Sequence, residues 1–566
     1  MMLENKAIDS AKKWLSKNYD QDTRNQVAEL IENGGEALIE AFHKNLDFGT
    51  GGMRGIMGVG TNRINVYTIG KATQALAMAL TESYPNQKIS VAVAYDSRNN
   101  SPLYAQRVAD VLSSNDIHVH LFRALRPTPE LSFSVRKLGC QGGIVITASH
   151  NPKEYNGFKV YGEDGAQIVS PFDKELINKV DNLKIDQVKL QPNLDLIHIL
   201  GEEMDIAYIN KIKTLCLSPS DIFDQANIPI VFTGIHGAGS VIVPKALKEF
   251  GFKKVITVTS QDEINGNFPT VQSPNPEEPE ALKLAIELGK KEGAALVMGT
   301  DPDADRVGIA VPNNQGEFVL LNGNQTCSLL VNYLLLKWKE RGKLDGNQFV
   351  VSTVVTTYLI DALAKASGVK SYNTLTGFKH IASLIKEKQG KEVFIGGGEE
   401  SYGYLAGDFV RDKDAVISCV LIAEMLAWAK NQGKSFFDIM MEMYLEHGLY
   451  YEELLSITKK GRNGKKEIEE MMQELRNTPP KKLLGERVIN IIDFLDSEKT
   501  ALPPSNVLQF ITQKGTRVTA RPSGTEPKIK FYFSVQGKIE KNDEFQQEIE
   551  KMKIKISQIK HEMSLN

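Results

Sequence analysis

The sequence predicts an α/β fold: three similar α/β domains with mixed sheets and a C-terminal α+β domain with an antiparallel sheet, arranged around one central cleft. Three observations predict it. Short β-rich apolar runs alternate with longer amphipathic stretches over most of the chain. A length of 566 residues is more than one hydrophobic core serves. Near the C-terminus "RVTARPSGTEPKIKFYFSV" reads as strand, loop, strand.

The strand candidates, in order, are "ISVAVAYDS", "IHVHLFRA", "GGIVITAS", "IPIVFTG", "KVITVTS", "AALVMGTD", "FVVSTVVTT" and "EVFIGGGEE". Their apolar positions are continuous rather than alternating, as in strands covered by helices on both faces. The pattern breaks at Lys189–Asp195, at Asn313–Phe318 and in the charged helical run after "EHGLYYEEL", and Pro-rich joints follow at "NTPPKKL" and "ALPPSN". The expected domains are residues 1–200, 201–318, 319–445 and 446–566, with no convincing sequence repeat among them. The most apolar run, Ala415–Ala429, is interrupted by Ser418 and Glu424 and falls short of the roughly 18–20 residues of a membrane span, so it predicts a buried helix.

Composition narrows the function classes. Apolar and charged fractions of 42% and 24% are those of soluble globular chains, and a net charge of -3 offers no basic field for nucleic acid. "MMLENKAIDSAKKWLSKNYD" has no apolar signal core, so a cytoplasmic location without membrane attachment is expected. Cys140, Cys216, Cys327 and Cys419 are scattered without a CxxC pair, which suits reduced core thiols.

Four chemically loaded loops begin where apolar strands stop, which is where open α/β sheets bind ligands. In "TASHNP" Ser149 could cap a helix, or could carry a phosphoryl group if His150 and Lys159 move its proton and neutralise oxyanion charge. Pro152 keeps Asn151 out of helix. In "GTDPDADR" the alternating Asp301, Asp303 and Asp305 would face one side of an extended segment, and three carboxylates that close call for a hard cation such as Mg²⁺. The spacing is not that of an EF-hand, and Arg306 could clamp the same anion. In "GGGEESYG" Glu399 and Ser401 could grip sugar hydroxyls or cap the next helix. In "TARPSGTEPK" Arg521, Ser523, Gly524, Thr525 and Lys528 could cradle a phosphate or simply turn a hairpin. No Walker or dinucleotide pattern sits in a strand-to-helix setting, which disfavours ATP and NAD. A serine with a basic neighbour, a metal site, a polyol loop and a separate phosphate cradle together fit relocation of a phosphoryl group on a sugar better than hydrolysis.

These motifs, in this order, resemble the α-D-phosphohexomutase family over nearly the whole chain. "GTGGMRGIMGVGTNRIN", "NPEEPE", "TLTGFKH" and "VRDKDAV" are also similar to family segments. The resemblance implies that Ser149 is a phosphoserine and, with Asp301, Asp303 and Asp305, holds one Mg²⁺ per chain. It implies Arg54, His150, Lys159 and Arg306 around the reacting phosphate, with Lys159 the first choice of general acid/base and His150 the second. Thr376, Gly377, Glu399, Ser401 and Lys413 would contact the sugar, and Arg521, Ser523, Gly524 and Thr525 the distal phosphate, with Lys528 placed there by position. The implied activity interconverts glucose 1-phosphate and glucose 6-phosphate through glucose 1,6-bisphosphate, in a monomer or weak dimer whose ligand is a small sugar phosphate. Pro302 stands where many members carry Gly, and "GEESYG" resembles glucose-preferring members. The N-terminal extension and "SYGYL" resemble the longer branch that includes phosphopentomutases, so mannose or pentose phosphate remains an alternative substrate. A non-catalytic sugar-phosphate binding protein is the alternative of another class.

Overall fold

Several of the continuous apolar runs fold as strands buried on both faces: Val91–Ala94, Ile144–Ile146 and Leu296–Met298 are essentially without solvent contact. The computed structural model describes residues 2–49, 51–459, 464–524 and 527–565. In the first sheet Ser90–Tyr95, His118–Phe122, Gly142–Ile146 and Ile197–Leu200 run parallel, while Tyr155–Gly162 and Gly52–Ile56 extend it in antiparallel sense. The helix Val66–Ser83 starts at a reciprocal cap, in which the Asn65 side chain accepts from Thr68 N–H and the Thr68 side chain answers Asn65 N–H. With Ser101–Ser113 it covers the sheet through Ile69, Leu76, Leu80, Val108 and Leu112. Ahead of this domain three short helices, Met2–Lys12, Gln21–Asn33 and Gly35–Phe42, build their own small core around Trp14, Tyr19 and Phe42.

A second sheet places Leu296–Thr300 beside the parallel Ile230–Thr233, which is followed by Val255–Thr257, and turns back antiparallel into Val307–Pro312. Arg126 joins the first two domains by a bidentate bond to Asp205, at 2.7 and 3.1 Å. In the third domain Gln348–Thr353 lies between the parallel strands Lys370–Thr374 and Val393–Gly398. The C-terminal sheet is antiparallel, running Leu449–Thr458, Lys528–Gly537, Arg517–Pro522, Leu508–Thr512 and Glu486–Asp493 across its width. It is fastened to the third domain by Val354, Val355, Leu375, Phe494 and Val507, and by Arg517, which donates to the carbonyls of Val354 and Thr356.

The architecture is therefore three α/β/α domains followed by a domain with an antiparallel sheet. The chain divides into two compact units: Met1–Val311 with Glu317–Leu320 and Gly403–Trp428, and Pro312–Gly316 with Leu321–Tyr402 and Ala429–Asn566. The run Ala415–Ala429 folds as the helix Ala415–Asn431, and among the described residues no helix is long and apolar enough to cross a membrane. All four cysteines are free thiols; Cys140, Cys327 and Cys419 are buried and Cys216 half-buried.

Candidate active site

The strand Gly142–Ile146 delivers the serine loop at its carboxyl end. Ser149 is buried and takes a left-handed conformation, φ 51°, which turns the chain out of the sheet. Its N–H donates to Thr147 Oγ1 at 2.8 Å, and its Oγ donates to Asp301 Oδ2 at 2.6 Å and lies 3.2 Å from His150 Nδ1. The serine caps no helix. The shape of the loop is fixed by Arg98, 1% exposed, whose guanidinium donates to the carbonyls of Ser149, Asn151, Pro152 and Tyr155. Asp96 balances that charge with its carboxylate 3.3 Å from Arg98 Nε.

The three aspartates converge for a different reason from the extended alternation expected. Residues 301–306 form a tight turn between the antiparallel strands Leu296–Thr300 and Val307–Pro312. Asp301 Oδ1 accepts the N–H groups of Asp305 and Arg306 at 3.1 and 3.0 Å, and Ala304 is left-handed with φ 49°. A folded turn, with one carboxylate as its internal acceptor, brings the other two alongside it. All three are buried, and their facing oxygens lie within 4.8 Å of one another. Thr128 grips Asp303 from the first domain, N–H to carbonyl at 2.9 Å and Oγ1 to Oδ2 at 2.8 Å.

Cations surround this cluster. The strand Tyr155–Gly162 holds Lys159 opposite Val145 and Gly52, and its Nζ lies 2.6 Å from Asp303 Oδ2 and 3.1 Å from Asp305 Oδ2. Lys413 Nζ is 3.1 Å from Asp305 Oδ2. Arg306 pairs with Glu277, its Nε 3.9 Å from Asp305 Oδ1, and the exposed Arg54 donates to Asn151 Oδ1 at 2.9 Å. Burial, then Asp303 and Asp305, push the Asp301 carboxyl well above its ordinary range. Burial opposes ionisation of Asp305 too, but Lys413, Lys159 and Arg306 hold it well below that range. Burial and the positive Arg306 and Arg54 push the His150 imidazole down, which keeps it neutral near pH 7. Burial would lower Lys159, yet Asp303 and Asp305 raise it and keep it charged.

The donor set fits a hard divalent cation: carboxylate oxygens only, clustered and out of water, with Oδ1 of Asp303 and of Asp305 buried and without a hydrogen-bond partner among the described residues.

The second unit gathers the remaining candidates. Gly377, with φ 112°, donates its N–H to Glu399 Oε1 at 2.9 Å. Thr376 Oγ1 is buried without a hydrogen-bond partner among the described residues. Ser401 is half-buried, and the glycine run leads into the strand Tyr404–Ala406, so there is no helix at hand for Ser401 to cap. Arg521 lies within the strand Arg517–Pro522 rather than in the loop beyond it, and hydrogen-bonds Tyr532. Ser523 N–H donates to the Lys528 carbonyl at 2.7 Å, closing a hairpin that exposes Gly524 and leaves Lys528 half-buried. Thr525 lies outside the described residues.

Four family domains match in succession: phosphoglucomutase/phosphomannomutase α/β/α domains I, II and III over residues 45–186, 207–316 and 322–446, and the C-terminal domain over 461–552. The chain belongs to the phosphoglucomutase/phosphomannomutase family. Among its relatives, the phosphoglucomutase of Staphylococcus epidermidis ATCC 35984 is 38% identical over 511 residues, 88% of this chain and 92% of that protein. That of Staphylococcus aureus MRSA252 is 38% identical over 512 residues, 88% and 91%. The fold is also that of the Paramecium phosphoglucomutase pp63/parafusin in its open form, with TM-score 0.69, 19% identity, and 92% and 96% of the two chains covered.

In this phosphohexomutase some contributors escaped sequence reading. Arg98 and Asp96 sit in "YDSRNN", whose signal is a charged pair at the end of a buried strand. Thr128 and Glu277 carry no pattern of their own, although Glu277 lies inside "NPEEPE". His380, three residues after Gly377, is pushed down to about 4 by burial and by the positive Lys379 and Arg521. Chemically, the first unit presents a hydroxyl between a carboxylate and a neutral imidazole, next to ammonium groups that favour phosphoryl oxygens.

Proposed function

We propose that the protein is a phosphoglucomutase that interconverts glucose 1-phosphate and glucose 6-phosphate through a phosphoserine at Ser149 and a glucose 1,6-bisphosphate intermediate. The observation that carries this is the buried Ser149 Oγ, 2.6 Å from one of three clustered aspartates and backed by Lys159 and Lys413. In the first half-reaction the P–Oγ bond of Ser149 breaks as a bond forms from phosphorus to the sugar O6. A proton leaves the O6 hydroxyl and Ser149 Oγ gains one, so protons balance. Lys159, held charged by its aspartates, is the first choice to give and recover that proton, and the neutral His150 the second. Arg54 and Arg306 orient the reacting phosphoryl oxygens. Asp301, Asp303 and Asp305, with the phosphoryl group of Ser149, would hold Mg²⁺, which when bound would offset charge on the phosphoryl oxygens.

Thr376, Gly377, Glu399, Ser401 and Lys413 hold sugar hydroxyls in this reading. Arg521, Ser523, Gly524 and Lys528, with Thr525 by its place in the motif, hold the phosphate that does not react. A grip on that far phosphate is what a bisphosphorylated intermediate needs when it turns over between the two transfers, and hydrolysis has no use for it. The same reading puts the enzyme in the cytoplasm, where sugar phosphates are found. "GEESYG" favours glucose, whereas the N-terminal extension and "SYGYL" keep a pentose phosphate open as the alternative. Comparison of kcat/KM for glucose, mannose and ribose 1-phosphates on one preparation decides between them. Glucose 1-phosphate is expected to lead, and a higher value for ribose 1-phosphate would reassign the substrate.

A further inference from the structure

A cavity of about 450 Å³ lies between the N-terminal helices and the first domain, within the roughly 300–1,000 Å³ usual for small-molecule sites. It is lined by Trp14 and Tyr19 of the N-terminal core, Tyr67 and Lys71 of the helix Val66–Ser83, Met53 of the strand Gly52–Ile56, and Leu183. Trp14 and Tyr19 stack with centroids 4.5 Å apart, and Tyr67 meets Trp14 edge-on at 5.5 Å. The Tyr67 ring is anchored by its hydroxyl, which donates to Asp20 at 2.5 Å. None of the described lining residues belongs to the candidate active site. Met53 and Arg54 leave opposite sides of their strand, and it is Arg54 that reaches the serine loop at Asn151.

The polar groups of this lining are short of acceptors. Among the described residues the Trp14 indole N–H, the Tyr19 hydroxyl and the Lys71 ammonium have no hydrogen-bond partner, and Lys71 has no ion-pair partner. Lys13 and Lys184 add exposed positive charge and Asp181 and Asp186 exposed negative charge, so these four cancel and the half-buried Lys71 decides the sign. Burial pushes the Lys71 ammonium down, and Asp181 offsets part of that. An anion in the cavity would supply the missing partner, and a carboxylate can accept from several donors at once. The ring walls favour an aromatic body, which packs on them by stacking or edge-to-face contact.

We propose that this cavity is a binding site for a small aromatic carboxylate, its ring against Trp14, Tyr19 and Tyr67 and its carboxylate on Lys71. Isothermal titration of the full-length protein with 2-naphthoate and with its neutral counterpart 2-naphthamide tests this. One 2-naphthoate per chain is expected, bound about tenfold more tightly than the amide, because only the anion gains a charge-assisted bond to the ammonium. In Lys71→Met that preference disappears. No saturable binding of 2-naphthoate by the unaltered protein, or an undiminished preference for the anion in Lys71→Met, would overturn the site. Equal affinity of the unaltered protein for the two compounds would overturn it as well, a comparison that stands even if Lys71→Met folds poorly.

Discussion

Arg98 gives the serine loop its shape, and its loss should be felt twice. Arg98→Met leaves Asp96 as an uncompensated buried carboxylate, so the folded state should lose about 3–5 kcal/mol, read by urea unfolding. It also releases the carbonyls of Ser149, Asn151, Pro152 and Tyr155, so kcat should fall more than substrate affinity. Unchanged unfolding midpoints would remove Arg98 from the account. That Ser149 gathers with Asp301, Asp303 and Asp305 was legible in the sequence, because a serine loop and three crowded carboxylates each follow the end of an apolar strand. Arg98 was not, because it reacts with nothing: its partners are backbone carbonyls more than fifty residues away, and main-chain acceptors leave no mark on a sequence.

The aspartate turn is shaped by its neighbour. A Cβ added at Gly237 would meet Pro302 Cα at 2.4 Å and its carbonyl oxygen at 2.7 Å, so Gly237→Ala must push the turn aside. The expected result is a higher Mg²⁺ requirement in activity titrations after EDTA stripping, and an unaltered requirement would show that the turn yields without effect. The sequence read the aspartates as facing one side of an extended segment. The clustering came out right and its cause wrong, because the Asp301 carboxylate bonding back to two N–H groups competes with extended backbone. At the start of the helix Ala415–Asn431, Asp414 accepts from Tyr208 O–H at 2.6 Å and Ile417 N–H at 2.8 Å, and burial pushes its carboxyl up to about 7. An unfolded aspartate titrates near 3.9, so the folded protein holds this proton more tightly. The stability it contributes is complete below pH ~3.9 and is lost as pH rises through about 7. Melting temperature followed against pH should therefore fall more steeply over that window in the unaltered protein than in Asp414→Asn, and parallel curves would contradict this.

Alternating strands and helices told the three α/β domains and the antiparallel last sheet from sequence alone, since continuous apolar runs have few other homes. What pattern reading could not see is that the chain returns to its first unit at Gly403–Trp428, the stretch that sets Lys413 3.1 Å from Asp305. That return depends on long-range packing, such as the Tyr208 to Asp414 bond across 206 residues, and local periodicity carries no trace of it. The proposed reaction asks more of the molecule than any single loop, because in it one phosphoryl group leaves the protein and another comes back to the same oxygen. Intact mass spectrometry before and after incubation with glucose 1,6-bisphosphate reads that oxygen. The unaltered protein should gain one phosphoryl group that glucose 1-phosphate removes, and Ser149→Ala should gain none and turn over no substrate. Turnover without any phosphorylated form, or a phosphoryl group retained by Ser149→Ala, would contradict the phosphoserine on which the proposed reaction rests.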